Sequence, residues 1–577
     1  MKAKGLRLFA YIVVLLFFCL CGYAEQKKQS LVYLEHSETL SFDEKRLPDV
    51  QILVGNVCFR HDSALMYCDS AYFFEKDNSL HAFGHVHLIQ GDSLEGWGDV
   101  LYYYGDTKLA KFRRNVRLLH DGATLTTDYL NYDRAKDIAY YFEGGMIEDS
   151  INTLTSLRGQ YTPYNDQAVF SGEVRLVHPN FILTSDTLCY NTATHQADLV
   201  SPTRVVYEEE TTILSSKGWY NTETEYSMLL NRSQVVHSDG MTLTGDTIYY
   251  DKLAGYGRVR GNMQSVDSSN HVTLYGHRGE MWENTDSGYA TDSALLVDWS
   301  DSTMYTYVHA DTLFTQQLPH RISVLVPQDS IWVDSTWIYP ASDTQWVDTS
   351  YMQVRAFYNV RLYREDIQVV CDSMHYNGKD SMALLVGDPV CWNEDNQVSA
   401  DTITIHFKNN ELDHLHGWGN AIMSKQEGDN EFDQMAGKEM YAYVRDGDIY
   451  LVDVQGNAET VFYPREEDGS YLGVNKTQSS FIQVYLKDRV VDYMIFTTAT
   501  TGVMSPMSQA TEDDKFLVTF FWAVQERPHR PADVFLRPER TPRPDAQAVS
   551  AASAEEEEED EEDGEYTNSS SRKRNRK

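Results

Sequence analysis

Between about residue 30 and residue 500 the apolar positions follow one local rule, and the rule recurs. An Asp opens a run in which the second and fourth residues after it are apolar or aromatic: Asp69-Ser-Ala-Tyr-Phe73, Asp99-Val-Leu-Tyr-Tyr103, Asp128-Tyr-Leu-Asn-Tyr132, Asp186-Thr-Leu-Cys-Tyr190, Asp246-Thr-Ile-Tyr-Tyr250, Asp372-Ser-Met-His-Tyr376 and Asp401-Thr-Ile-Thr-Ile405. A period of two places those residues on one face of a strand. Outside one long gap, neighbouring copies stand 30, 29, 58, 60 and 29 residues apart. The unit is therefore about 30 residues, with some copies degenerate. Gln160, Gly218 and Glu280 stand close to where missing aspartates are expected.

A second element alternates with the first: Gly55-Asn-Val57, Gly84-His-Val86, Arg114-Asn-Val116, Gly144-Gly-Met146, Gly172-Glu-Val174, Gly261-Asn-Met263, Gly419-Asn-Ala421 and Gly456-Asn-Ala458. Gly-Asn and Gly-Gly tolerate positive φ, so each unit reads as strand, turn, strand, turn. Upstream of the Asp, Leu125, Leu183, Leu243, Val369 and Val398 stand three residues before it, which switches the apolar parity and demands a bend or bulge at the link. Two strand pieces meeting at a corner, both turning apolar residues inward, stack into a two-walled trough. Tyr, Val, Thr and Phe dominate the runs and helical periodicity is weak, so the fold class is all-β, an elongated stack of strands. At about 4.8 Å per strand, roughly a dozen units give an apolar channel of about 60 Å.

The expected inward lining is Ala71, Phe73, Leu101, Tyr103, Leu130, Tyr132, Leu188, Tyr190, Ile248, Tyr250, Met374, Tyr376, Ile403 and Ile405. Such a lining either encloses a hydrocarbon ligand or fills a core as in any β-sandwich, and the two readings differ on whether a cavity remains.

The pattern is framed by other signals. Lys2, Lys4 and Arg7 precede an apolar stretch from Leu8 to Cys21 and small residues near Ala24, which reads as an export signal over residues 1–24. An oxidising, periplasmic location follows, free or at the outer membrane. Loss of those three positive charges takes the formal charge from −37 to −40, a surface that repels nucleic acid and does not attract an anionic lipid by bulk charge. Cys58, Cys68, Cys189, Cys371 and Cys391 give no disulfide framework; Cys58 and Cys68 are the one close pair, either bridged or simply small buried residues. The chain divides into a block at 25–315, a long loop or hairpin at 316–355 with Pro319, Pro327 and Pro340, a second block at 356–502, and a tail at 503–577. That tail is Pro-rich, then acidic, then basic, and is expected to be largely disordered, with Phe516 to Trp522 a short docking segment.

The Gly-Asn-Val turns, the Asp-x-Leu-x-Tyr strands and Asn396-Gln-Val-Ser-Ala-Asp-Thr-Ile403 resemble the OstA-like branch of the lipopolysaccharide-transport A family over roughly residues 30 to 460, in particular its long Bacteroidetes-type forms. The resemblance implies a β-jellyroll opened into a V whose interior holds lipid A acyl chains. It also implies lipopolysaccharide transport without catalysis, and end-to-end pairing with other transport proteins, or with another copy, by strand addition. The length, the insertion and the acidic tail depart from the short family members.

Catalytic and cofactor signatures are not found. His85 with His87, and His414 with His416, are spaced to share a strand face, yet no third ligand accompanies either pair, so no metal and no cofactor are expected. The aspartates recur singly, as turn residues bonding their own backbone do. Gly255-Tyr-Gly257-Arg-Val-Arg-Gly261 lacks the spacing and following helix of a nucleotide loop. Two readings compete with a lipid carrier: an envelope scaffold with a filled β core, and a parallel β-helix enzyme acting on polysaccharide.

Overall fold

The computed structural model describes residues 30–544 apart from residues 44, 92, 93, 121, 327–330, 334, 335, 339–342 and 467. The stretch read as an export signal and the acidic and basic run beyond 544 lie outside the described residues.

Strand follows strand as an antiparallel meander: Gln51–His61, Ala64–Phe74, Ser79–Gln90, Leu94–Tyr104, Leu109–His120, Ala123–Asp133, Ile138–Glu148, Thr153–Thr162, Gln167–Val177 and Phe181–Asn191 each pair with the next. This connectivity overturns the β-helix enzyme reading, since a β-helix pairs its coils in parallel.

Nearly every strand bends at its middle, and the bend has a fixed chemistry. Gly55 and Asn56 lie between the pairs Val54↔Ser70 and Val57↔Cys68, so two residues oppose the single Asp69. Such a bulge kinks the strand and adds twist. Both residues of the doublet take positive φ: 75° and 42° at Gly84 and His85, 79° and 47° at Gly261 and Asn262, 76° and 46° at Gly419 and Asn420. The expectation that these doublets turn the chain between strands is therefore corrected. They are mid-strand corners, and the hairpin turns lie at the strand tips, for example where Asn78 N–H donates to Glu75 O and Lys108 N–H to Gly105 O.

The recurrent aspartates are corrected too. At Asp69, Asp99, Asp128, Asp246 and Asp401 the carboxylate holds the doublet of a neighbouring strand rather than its own backbone, as where Asn115 Nδ2 donates to Asp99 at 2.8 Å, Asn262 Nδ2 to Asp246 at 2.7 Å and Asn420 Nδ2 to Asp401 at 3.2 Å, whereas Asp186 and Asp372 accept from the hydroxyls of Thr187 and Ser373. A Cβ on Gly419 would meet Asp401 Oδ2 at 2.3 Å, whereas one on Gly91, also at positive φ, would meet nothing within 4 Å. Gly419→Val is expected to cost about 2–3 kcal/mol and Gly91→Val about 1 kcal/mol in denaturant unfolding. Equal costs would show that the Asp contact adds nothing to the backbone strain.

The bend divides each strand into halves that stack as two walls. Val57, Phe59, Val86, Leu88, Val116 and Leu118 are buried on one, and Leu53, Ala71, Phe73, Leu80, Leu101, Phe112 and Leu130 on the other. The inner faces meet, as the Phe59 and Phe73 ring centroids, one from each wall, stand 5.3 Å apart. Full burial of each such side chain contributes about 1.5–3 kcal/mol. The architecture is the V-shaped β-jellyroll expected from the alternation.

The chain forms two compact units, one of residues up to Glu209 with Trp219–Glu223, the other of Glu210–Gly218 with Thr224 onward. The repeat is interrupted near that division, where the place of a corner is taken by a break between Gln196–Leu199 and Thr203–Tyr207. In the second unit the stretch read as a loop or hairpin is a hairpin. Thr306–Val326 and Asp343–Tyr363 pair from Tyr307↔Tyr363 to Val326↔Asp343, and Ile331–Val333 pairs with Thr336–Ile338 beyond them.

Residues 503–544 are ordered around the docking segment expected at Phe516 to Trp522, while the acidic and basic part of the expected disordered tail lies outside the described residues. After Thr501–Ser505 the chain runs through a short helix, Glu512–Lys515, and two 3-10 turns, Val524–Glu526 and Pro531–Phe535, laid against the outer face of one wall of the second unit. Leu517, Phe521 and Ala523 pack with Val370, Val390, Trp392, Ile422, Ala436, Val461, Tyr463 and Val474. Buried amides fix the register: Gln397 donates to Phe521 O at 2.9 Å and accepts from Ala523 N–H at 2.8 Å, and Gln434 does the same with Lys515 O and Leu517 N–H. The covered strands Val390–Asn393 and Asn396–Ser399 are consequently buried on both faces.

All five described cysteines are free thiols. Cys68 pairs with Val57 and faces inward, while Cys58 pairs with Tyr67 and faces out, so opposite sides of the sheet separate them.

Candidate functional site

The site follows from how well the two walls fill the space between them. In the strands from Gln51 to Asp133 large side chains fill it, and Leu53, Phe59, Leu80, Leu88, Leu101, Tyr103, Phe112 and Leu130 are all fully buried. Gly96 leaves room for the Phe112 ring, whose Cζ would stand 3.2 Å from a Cβ there.

Further along the first unit small residues replace large ones, and a cavity of 380 Å³ opens. Leu118, Leu125, Ile147, Leu154 and Leu176 come from one wall, and Ala139, Tyr141, Ala168, Phe170 and Tyr190 from the other. Tyr141 leans across Gly145 and Gly159, where a Cβ would clash with its ring, and its hydroxyl bonds Ser156 Oγ on the facing wall at 2.6 Å. Polar side chains ring the mouth: His120, Asp149, Asn152, Tyr161, Asp166, Thr192 and Thr222. Burial raises the Asp149 carboxyl, but the N–H groups of Asn152 and Ile151 outweigh it and hold the pKa below the usual value. Asn152 Oδ1 is buried at this rim without a donor.

A second cavity, of 720 Å³, lies within the second unit. Leu296, Val308, Val354, Leu362, Met374, Tyr376, Ala383, Ile405 and Val444 line it, and hairpin tips with Lys408, Glu411, Arg445 and Asp446 border it. Arg364 is locked there by two 2.6 Å bonds to Asp366 and lies over the Phe407 ring.

Of the residues nominated from the sequence, Tyr190 lines the first cavity, and Met374, Tyr376 and Ile405 the second. Ala71, Phe73, Leu101, Tyr103, Leu130 and Tyr132 are buried in the filled section. Leu188, Ile248 and Ile403 are buried without lining either cavity, and half-buried Tyr250 donates to Glu283 at 2.6 Å. The facing wall of the first cavity was missed. Its signal was present, because the parity that makes Val116 and Val174 inward also makes Leu118 and Leu176 inward.

The histidine pairs hold no common ligand. His85 sits inside a corner doublet and bonds Asp69 at 2.7 Å, while His87 bonds Glu95 at 2.8 Å and stacks on Trp97. His414 stacks on His406 and His416 on Tyr441. Among the described residues no group of three or more His, Cys, Asp or Glu is placed to hold a metal.

Fold and cavities together define a two-walled β-jellyroll with an apolar interior. Residues 29–186 match the family model of the OstA-like protein. Among solved structures the chain is similar to the crystal structure of LptH, described as the LptA homologous periplasmic component of the conserved lipopolysaccharide transport device from Pseudomonas aeruginosa. The identity is 17%, over 25% of this chain and 99% of that chain, with a TM-score of 0.20. No curated protein matches the chain.

Proposed function

We propose that the chain is a periplasmic, non-catalytic lipid-binding component of lipopolysaccharide transport to the outer membrane, and that it shields acyl chains between its two walls. The observation that carries this reading is the open interior: a space of 380 Å³ lined mainly by apolar side chains of both walls, and one of 720 Å³ where apolar side chains of both walls face a comparable share of polar groups. Each lies in the range of about 300–1,000 Å³ usual for ligand sites. A chain of roughly a dozen methylenes exposed to water costs about 10 kcal/mol, and burial between the walls removes that cost. Polar rims leave a head group in water. The OstA-like match over residues 29–186 supports the same reading.

Partner proteins, or a second copy, would add strands at the ends. Tyr33–His36 and Thr39–Phe42 each pair with Gln51–His61, and Val490–Thr497 and Thr501–Ser505 each pair with Val474–Lys487. These terminal strands expose Phe42, Val490, Tyr493 and Val503 beside backbone groups free to pair.

The filled strands between Gln51 and Asp133 favour the second reading, a scaffold with a packed core. Photoreactive side chains at positions 141 and 374 separate the two. With added lipopolysaccharide both are expected to crosslink to its acyl region, while the outward position 140 is not. Silence at 141 and 374 in folded protein would leave the scaffold.

A further inference from the structure

We propose that a polar network laced across the mouth of the first unit is a latch, which holds the walls shut over the filled section between Gln51 and Asp133 and confines a bound hydrocarbon chain to the cavity that opens at Leu118 and Leu125 and runs on from there. The proposal rests on the lipid-carrier reading above. Strand register places the tips of one wall at His61 and Gln90 and those of the other at Tyr104 and Asp133. Hydrogen bonds run between these tips across the opening.

The chain of donors is continuous. Arg134 Nη1 donates to the Tyr103 hydroxyl at 2.6 Å, that hydroxyl donates to His61 Nδ1 at 2.5 Å, and His61 Nε2 donates to Ser30 O at 3.2 Å. Burial holds the His61 pKa below its ordinary value, so the ring is neutral and Nδ1 is free to accept. On its other side Arg134 Nε donates to Gln90 Oε1 at 2.5 Å, Gln90 Nε2 to the Tyr132 hydroxyl at 3.3 Å, and Tyr132 to Asp137 at 2.9 Å. Lys108 from one wall reaches Asp62 of the other at 2.6 Å.

His61 and Tyr103 are fully buried and Tyr132 nearly so, yet they stand where a trough should be open. The network coincides with the section whose interior is filled, and the cavity begins at Leu118, on the last wall segments before the lacing ends. A polar seam over a packed hydrocarbon interior needs every member satisfied. Loss of one leaves its partners buried and unpaired, so such a seam is either closed or open with little between.

Cys68 reports on the latch without a new side chain in the core. It faces inward opposite Val57, and burial pushes its thiol up to about 12, so it reacts when the walls part. Labelling with a dodecyl maleimide, mapped by peptide mass, follows Cys68 and is normalised to Cys189, which pairs with exposed Val169 and faces outward. Tyr103→Phe and Gln90→Leu each remove bonds from the seam, and Cys68 labelling is expected to rise about tenfold in each while Cys189 is unchanged. Added lipopolysaccharide is expected to slow Cys68 labelling again in the variants, because an acyl chain then occupies the opened section.

An unchanged Cys68 rate in both variants overturns the latch. So does a rise matched by an equal loss of stability of the whole first unit in calorimetry, which marks opening of the unit and not of the seam. Absence of protection by lipopolysaccharide, with crosslinking at position 141 intact, overturns the confinement. Loss of crosslinking at 141 counts instead against the carrier reading, and the Cys68 rates alone then decide whether a latch exists.

Discussion

A chain ending at Ser505 loses the cooperative unfolding transition of its second unit and keeps that of the first. Removal of residues 506–544 strips Leu517, Phe521 and Ala523 from a face that includes Val370, Val390, Trp392, Ile422 and Val461. It also orphans buried polar groups. Arg361, itself buried, donates to Glu526 O at 2.7 Å; Arg527 bonds Gln368 and Glu394 O; Gln397 and Gln434 each lose two partners. The cut opens this apolar face to water at about 1.5–3 kcal/mol for each large side chain and breaks the bonds that fix the strands beneath, a sum comparable with the stability of an ordinary domain. The milder Phe521→Ala is expected to cost about 3–5 kcal/mol. Calorimetry of the intact and shortened chains checks both. A second transition at its original temperature after truncation would show that the segment merely rests on the sheet.

The second large effect is on pH. Burial pushes the Asp433 carboxyl up to about 7, against the Tyr463 N–H that donates to it at 3.0 Å, with Glu427 adding repulsion and Lys425 and Arg465 opposing it. The unfolded chain releases this proton near 3.8. Between pH 4 and 7 the native state therefore holds a proton that the unfolded state has lost, and stability falls as pH rises through that window, then levels off. Asp433→Asn keeps an acceptor for Tyr463 and cannot ionise. It is expected to stabilise the second unit at pH 8 by up to about 4 kcal/mol and to leave it nearly unchanged at pH 3.5. An equal change at both pH values would mean that packing and not ionisation is responsible.

The first effect arises where the repeat grammar ends, which is also where the sequence was least legible. The Asp-x-Leu-x-Tyr parity identified one wall, and the apolar residue three before each Asp identified the switch to the other. What parity cannot tell is whether a Gly-Asn doublet closes a hairpin or kinks a strand, because both use consecutive residues at positive φ. The turn reading followed from that ambiguity, and so did the placing of the Asp carboxylates on their own backbone.

Residues 503–544 have no period, and prolines made them read as disordered. Their order comes from an outer sheet face whose apolar character is visible in the sequence as Val390-Cys-Trp392, a run too apolar for a wall with one wet side. The cavities were legible only in part. Ala139, Gly145, Gly159 and Ala168 are unremarkable in sequence, and the space depends on their falling opposite one another across two walls. The latch was hidden for a similar reason, since His61, Gln90, Tyr103 and Arg134 are up to 73 positions apart in the chain.

The corner has a consequence for how such a chain grows. A carboxylate on one strand clasps the doublet of its neighbour, so the angle between the walls is set locally, by a contract between two adjacent strands. A duplicated or deleted hairpin brings its own clasp and inherits the same angle, so reach along the groove is a heritable quantity that changes in whole steps.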